Sequence, residues 1–249
     1  MKTTGLLTRL IIASAVLIAG CEKNTTEPGS SGTNPIIIPT QTTIQGPVTL
    51  AGASSFSILA GSAISSTGAT TITGDLGLSP GTSVGGFPPG ILNGTKHIND
   101  PIVTQAKLDL TAAYNNAVGR TCTDRVTLSG NIGGLRLTPG LYKSNSSLAI
   151  SSGDLTLDAK GNANAVFIIQ IASSLTTTSG RKVILAGGAL ASHVFWQVGS
   201  SATFGTTSVF KGTLLVMQSV TFNTGATLDG RALTRTGGIT MAGNAIVKQ

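Results

Sequence analysis

Three segments in the last third of the chain align without gaps: Ala202–Phe210, Val220–Leu228 and Ile239–Val247. Their starts lie 220 − 202 = 18 and 239 − 220 = 19 residues apart. A unit this short buries an apolar face only by stacking on its neighbours. Read as strands, the segments place Ala202, Val220 and Ile239, and also Phe204, Phe222 and Met241, on one side. Thr203, Thr221 and Thr240 fall on the other. The apolar columns face a core, and the threonines form an exterior ladder with one rung per coil, roughly 4.8 Å apart. A second strand precedes each segment. There the alignment predicts Trp196, Leu215 and Leu233 pointing inward and Phe195, Leu214 and Ala232 pointing outward. An outward apolar column needs a cover. The pattern is that of a mostly β protein, a parallel β-solenoid of short strands.

A cover is present. Asn99 or Asp100 can cap a helix, Pro101 suits its first turn, and Gly119 suits its stop. Ile102, Ala106, Leu110, Ala113 and Ala117 make a narrow apolar stripe between them. One long helix is therefore expected along one face, leaving the threonine face open. Earlier in the chain, Ser62–Thr70 echoes the repeat that begins at Ser219, and both carry the tetrad Thr-Gly-Ala-Thr (Thr67–Thr70 and Thr224–Thr227). Composition agrees with stacked strands and tight turns. Gly (33), Thr (36) and Ser (25) fill 94 of 249 positions. With only 10% charged residues, a charge-solvated disordered chain and a coiled coil are both excluded.

Residues 1–20 read as a signal peptide. Lys2 and Arg9 form a basic start, and Leu10–Ile18 is apolar but too short to span a bilayer. The run ends in Ile18-Ala19-Gly20-Cys21, which resembles a bacterial lipobox with Cys21 as the lipidated first residue of the mature chain. An ordinary signal peptide followed by a chance Cys is the alternative. Residues 21–49, rich in Thr, Pro and Ser, read as a flexible tether, with Ile36–Ile38 able to dock on the domain. The domain proper is expected over 50–249. If Cys21 carries lipid, Cys122 is left without a disulfide partner.

Little in the chain suits catalysis. Both glutamates, Glu22 and Glu27, precede the domain, which holds seven Asp and no Glu. Asp154 and Asp158 are four apart, but one follows a turn glycine. His97 and His193 lack metal spacing, and no Gly-x-Ser-x-Gly elbow occurs. The net charge of +7 is scattered, without the basic cluster that nucleic acid requires. No enzyme activity, cofactor, metal or nucleic-acid partner is expected.

Further motifs carry a resemblance. Gly74–Gly81 (GDLGLSPG), Ala113-Tyr114-Asn115, Leu137–Tyr142 (LTPGLY), Leu155–Ala159 (LTLDA), Ala165–Ile168 (AVFI) and Val194–Val198 (VFWQV) resemble the bacterial and fungal ice-binding (antifreeze) protein family. The likeness runs from about Leu50 to Lys248. It implies a right-handed discontinuous parallel β-solenoid with a flanking α-helix, and an N-terminal segment inserted between later coils so that the two tetrads come close. Some members carry ice-contact motifs of the form Thr-(Ala/Gly)-x-(Thr/Asn), which both tetrads match. The ice contacts expected are thus Thr203, Thr221 and Thr240 from the ladder, and Thr224, Thr227, Thr67 and Thr70 from the tetrads. Such a face is physically apt. Coils ~4.8 Å apart and alternate residues ~6.7 Å apart lie near the repeats of an ice prism face. Threonine adds a hydroxyl and a methyl on a stiff branched stem. The expected protein is a monomer tethered in the cell envelope, at the outer membrane or cell surface, that holds ice or restrains its growth and recrystallisation. The alternative is a surface adhesin or polysaccharide-binding solenoid.

Overall fold

The computed structural model describes residues 38–249. The expected signal peptide, Cys21 and most of the expected tether lie outside the described residues.

Short strands, all paired in parallel, build a three-faced solenoid. The open face stacks eight of them, from Gly130–Asn131 through Leu148–Ile150, Leu175–Thr177, Ala202–Phe204, Val220–Phe222 and Ile239–Ala242 to Ala63–Thr67 and Ser83–Gly85. A second face lies under the helix. The third begins with Arg136–Leu137, Leu155–Asp158 and Val183–Ala186 and continues through the first halves of Val209–Val216 and Thr227–Thr234. These two eight-residue strands turn from the third face into the helix face without leaving the ladder. Gly212 and Gly230, paired at φ 109° and 147°, sit at that corner. A Cβ on Gly230 would meet the Gly212 carbonyl oxygen, so only glycine fits there.

Stacking order differs from chain order. Phe56–Ala60 pairs with Thr227–Thr234 on one side and Asp75–Leu78 on the other. Ala63–Thr67 pairs with Ile239–Ala242, and Thr71–Thr73 with Ala245–Val247. The N-terminal coils therefore stack beyond the last coil. They do not insert between later coils as the resemblance implied, and the coil of Ala242–Ala245 separates the two tetrads.

The helix Pro101–Gly119 carries the chain back along the solenoid. Asp100 caps it by accepting from Val103 N–H at 2.9 Å, and this bond holds its carboxyl below the usual range. The buried stripe is Val103, Ala106, Leu110, Ala113, Tyr114 and Ala117; Ile102 is 58% exposed, so the stripe starts one residue later than the spacing predicted. The stripe packs on Leu59, Leu141, Ile168, Phe195, Leu215 and Leu233. Two glutamines at this contact help to secure the helix, as does Lys107, whose Nζ donates to the Thr234 and Arg235 carbonyls. Gln170 Nε2 lies 2.8–3.2 Å from the carbonyls of Ala117, Val118 and Arg120, and Gln197 Nε2 donates to the Tyr114 hydroxyl at 2.8 Å.

Trp196 is fully buried and Phe195 faces the helix, as predicted, but the next two coils are reversed. Leu214 and Ala232 share the interior with Trp196, while Leu215 and Leu233 face the helix. The equivalent positions are 18 apart (196, 214, 232), and aligning Trp196 with Leu215 slips one residue. On a strand one residue exchanges the two faces.

Residues 38–49, expected as part of a flexible tether, lie against the solenoid. Ile38 packs on the core, Val48 is buried, and Gln41 Oε1 accepts from Leu141 N–H at 2.8 Å. The Asp124 carboxylate accepts from Thr42 and Thr43 N–H at 2.6 and 2.8 Å. Bonds from Thr43 and Thr42 hold that carboxyl well below the ordinary range.

Candidate functional site

The open face is set by alternation along its strands. Ala202, Val220, Ile239 and Ile64 point inward in register, as do Phe204, Phe222 and Met241. Phe204 and Phe222 stack with ring centroids 4.8 Å apart and planes 16° apart, which fixes the coil spacing from within. The residues between them point out. Strand register places Asn131, Ala149, Thr176, Thr203, Thr221, Thr240, Ser65 and Gly85 in one column. Thr176, Thr240 and Ser65 are exposed, and Thr203 and Thr221 half-buried. Thr176 lies outside the three most similar segments, and the echo of Ser219 in Ser62 sets Ser65 against Phe222, so the repeat reveals neither.

A second column follows the first at the corner toward the third face. Backbone bonds from Gly180, Thr207, Gly225 and Gly243 N–H run to the carbonyls of Thr206, Thr224, Ala242 and Thr67. Thr206, Thr224 and Thr67 are exposed, so the corner edge of this face also carries hydroxyls. Gly68, Gly225 and Gly243 turn the corner with φ of 60–71°, a left-handed conformation that, among the described residues, threonine adopts only at Thr207 (φ 56°).

The seven threonines expected at the site separate here. Thr203, Thr221, Thr240, Thr224 and Thr67 lie on the open face or its edge. Thr227 starts the strand Thr227–Thr234 on the third face. Thr70 is a correction: it is fully buried, and its hydroxyl accepts from Asn244 N–H at 3.2 Å and from Ser66 Oγ at 2.7 Å. The two tetrads match through their glycines, but the first corner holds one extra residue. That residue drops Thr70 inside, and Thr71 takes the ladder place that Ala245 and Thr227 hold in the neighbouring coils.

No strand of the open face contributes a charged side chain. Charge collects on the third face and at its margins. Asp158 pairs with Arg136 and Lys160 at 2.9 and 3.0 Å, Lys211 with Asp229 at 2.8 Å, and Arg181 with Asp154 at 3.7 Å. Bonds from Lys160, with Arg136 adding to them, bring the Asp158 carboxyl down to about 2. Asp154 and Asp158 thus each have a cationic partner. His97 Nδ1 lies 2.6 Å from the capping Asp100, and His193 Nδ1 2.9 Å from the Ala163 carbonyl. Cys122 is half-buried and free, with its thiol pushed up by desolvation.

Known proteins resemble this chain in sequence and fold. The model of the ice-binding-like family matches residues 58–247. An ice-binding protein of Nostoc sp. (strain HG1) is 44% identical over 199 residues, covering 79% of this chain and 72% of the relative. One from a Colwellia species is 36% identical, covering 80% and 83%. The crystal structure of an ice-binding protein from an Antarctic biological consortium superposes with a TM-score of 0.84 at 67% identity, covering 85% of this chain and 95% of that one. With the family model spanning most of the solenoid and relatives this similar, the chain belongs to the ice-binding-like family.

Proposed function

We propose that the protein binds ice through its open face and so restrains the growth and recrystallisation of ice, or attaches the cell surface to it. The carrying observation is the column Thr176, Thr203, Thr221, Thr240 and Ser65, in register on five successive coils of an uncharged face. Ice offers neither a charge nor a pocket, so a binder must sum many weak contacts. They sum only where side chains are ordered beforehand, since ordering them costs free energy. Branched threonines on a ladder built over stacked rings satisfy that condition. The hydroxyl holds a lattice-like water, and the methyl discourages a disordered shell.

The reading is non-enzymatic, because the carboxylates that could act as acid or base are engaged in ion pairs, caps and turns. A polysaccharide would require exposed rings for stacking; the open face has none, and Trp196 is fully buried. The remainder of the proposal is a monomer exported by residues 1–20 and held in the envelope through lipid on Cys21. Its support is the order of basic start, short apolar run and Ala-Gly-Cys.

Thr221→Tyr tests the site. The phenol reaches about 4 Å further than the threonine hydroxyl, so it lifts a flat lattice off Thr203 and Thr240 on either side. Tyrosine suits a strand, and exposed substitutions generally cost under about 0.5 kcal/mol. Ice shaping and freezing-point depression should be lost with the circular dichroism unchanged. Normal shaping by the folded variant would remove the open face from the proposal.

A further inference from the structure

The helix has two flanks. Along one lie residues 46–54, bonded to Asp109, Arg120 and Arg231. On the other, where the strands leave the helix face for the open face, a cleft of about 340 Å³ opens. Tyr114 and Val118 of the helix line it, with Lys143, Gln170, Gln197 and Gly199 of the coils. Lys143, Gln170 and Gln197 are successive rungs of one column, which continues as Leu215 and Leu233. The hydrogen-bonding capacity of these polar rungs is only partly used. Gln170 Nε2 is committed to the three carbonyls at the helix end, which fixes the amide, and Gln197 Nε2 to the Tyr114 hydroxyl. Their two Oε1 atoms accept from no group among the described residues, and neither is sealed inside the protein, so both open into the cleft. Half-buried Lys143 has no ion-pair or hydrogen-bond partner for its Nζ among the described residues. Gln170 and Gln197 are 4% and 2% exposed, and side chains so deep rarely keep an acceptor unused.

We infer that this cleft binds a small zwitterion, an α-amino acid with a short side chain, its ammonium on the two glutamine oxygens and its carboxylate on Lys143. Neighbouring rungs lie ~4.8 Å apart, so a nitrogen between Gln170 and Gln197 is within hydrogen-bond reach of both oxygens. The C-terminus of the helix stands beside that point, and its partial negative charge favours a cation there. Lys143 is one rung beyond Gln170, ~7 Å from the same point. A carboxylate oxygen ~3 Å from its own ammonium nitrogen and a charged hydrogen bond of ~2.8 Å span nearly all of that distance, and the lysine stem covers the rest. Val118, 49% exposed, and Ala172 give the side chain of the ligand an apolar wall. Other small ligands fit less well. A neutral sugar brings neither charge, a simple cation leaves Lys143 unanswered, and a simple anion leaves both oxygens unanswered. Arg235, the other cation on this flank, lies over the Tyr114 ring at 5.0 Å and does not line the cleft. The inference does not depend on ice binding, because the cleft shares no residue with the outward column of the open face.

The test is a titration of the isotope-labelled protein with L-alanine, followed by the side-chain amide signals of Gln170 and Gln197 in NMR spectra. Propionate and ethylamine serve as the two half-molecules. L-alanine should shift both amide signals saturably. Each half-molecule should bind about tenfold more weakly or worse, since it forfeits a charged hydrogen bond. Lys143→Gln should weaken L-alanine binding to the same degree, as should Gln197→Leu, which installs the residue of the next rung. Thr221→Tyr on the open face should leave the titration unchanged. The inference is overturned if L-alanine gives no saturable shift, if either half-molecule binds as tightly as the whole, or if Lys143→Gln binds undiminished. Should Gln197→Leu fail to fold, Lys143→Gln decides alone.

Discussion

The open face is held flat from within, and Phe222→Ala tests that dependence. Phe222 is 1% exposed, lies on the strand that carries Thr221, and stacks on Phe204 at 4.8 Å. Truncating a buried Phe costs about 3–5 kcal/mol. For a domain of this size each kcal/mol lowers Tm by roughly 2–4 °C, so Tm should fall by about 6–20 °C. Near the freezing point the variant should stay folded if its starting stability lies in the usual range of ~5–15 kcal/mol. The strand Val220–Phe222 then relaxes toward the void. A radial gap of only ~0.5–1 Å forfeits a quarter to a half of a van der Waals contact, so a small sag at Thr221 suffices to uncouple it from a lattice that touches Thr203 and Thr240. Phe210→Ala is the matched control. Phe210 is equally buried, with its ring 4.6 Å from Phe204 and 4.9 Å from Trp196, but its strand forms the third face. Thermal hysteresis measured near 0 °C, with folding checked by circular dichroism, should drop several-fold in Phe222→Ala and stay near the unaltered value in Phe210→Ala. Hysteresis retained in a folded Phe222→Ala would show that the inner aromatic stack does not set the flatness of the face.

Two further outcomes follow from charge and from the anchor. The folded carboxyl of Asp158 titrates near 2, below the ~3.9 of an unfolded Asp. Its contribution is therefore fully present above pH ~4 and is lost as pH falls through 2; Asp158→Asn should flatten the fall of Tm over that range, and an unaltered slope would contradict the assignment. Cys21→Ser should move the protein from the membrane pellet to the soluble fraction, and unchanged fractionation would refute lipidation.

The open face was legible because alternation on a strand is a strict code. Once Thr203, Thr221 and Thr240 were in one column, the inward positions of Phe204 and Phe222 followed. The corners were not legible. A single extra residue after Gly68 buries Thr70 and promotes Thr71 to the ladder, although the letters Thr-Gly-Ala-Thr match those at Thr224–Thr227. The same sensitivity to one residue reversed Leu214 and Leu215. Nothing in the sequence marks Gln170 and Gln197 as partners of the helix, whose Ala117 carbonyl and Tyr114 hydroxyl they reach only across the fold. The packing of residues 38–49 depends on Asp124, some 80 positions away, and no local pattern announces it.

The helix also works as a ruler. Its 19 residues rise about 28 Å, which matches six coils at ~4.8 Å, and six coils supply the apolar residues beneath it, from Leu141 to Leu59. An ordinary solenoid lengthens by adding a coil at either tip. Here the chain's first and last segments pair inside the stack and the helix joins the coils at its two tips, so a coil inserted at any level pushes those tips apart. Each such insertion separates the helix ends by another ~4.8 Å and demands about three more helical residues at ~1.5 Å apiece. A wider binding surface in this architecture has to be matched, turn for turn, by a longer strut behind it.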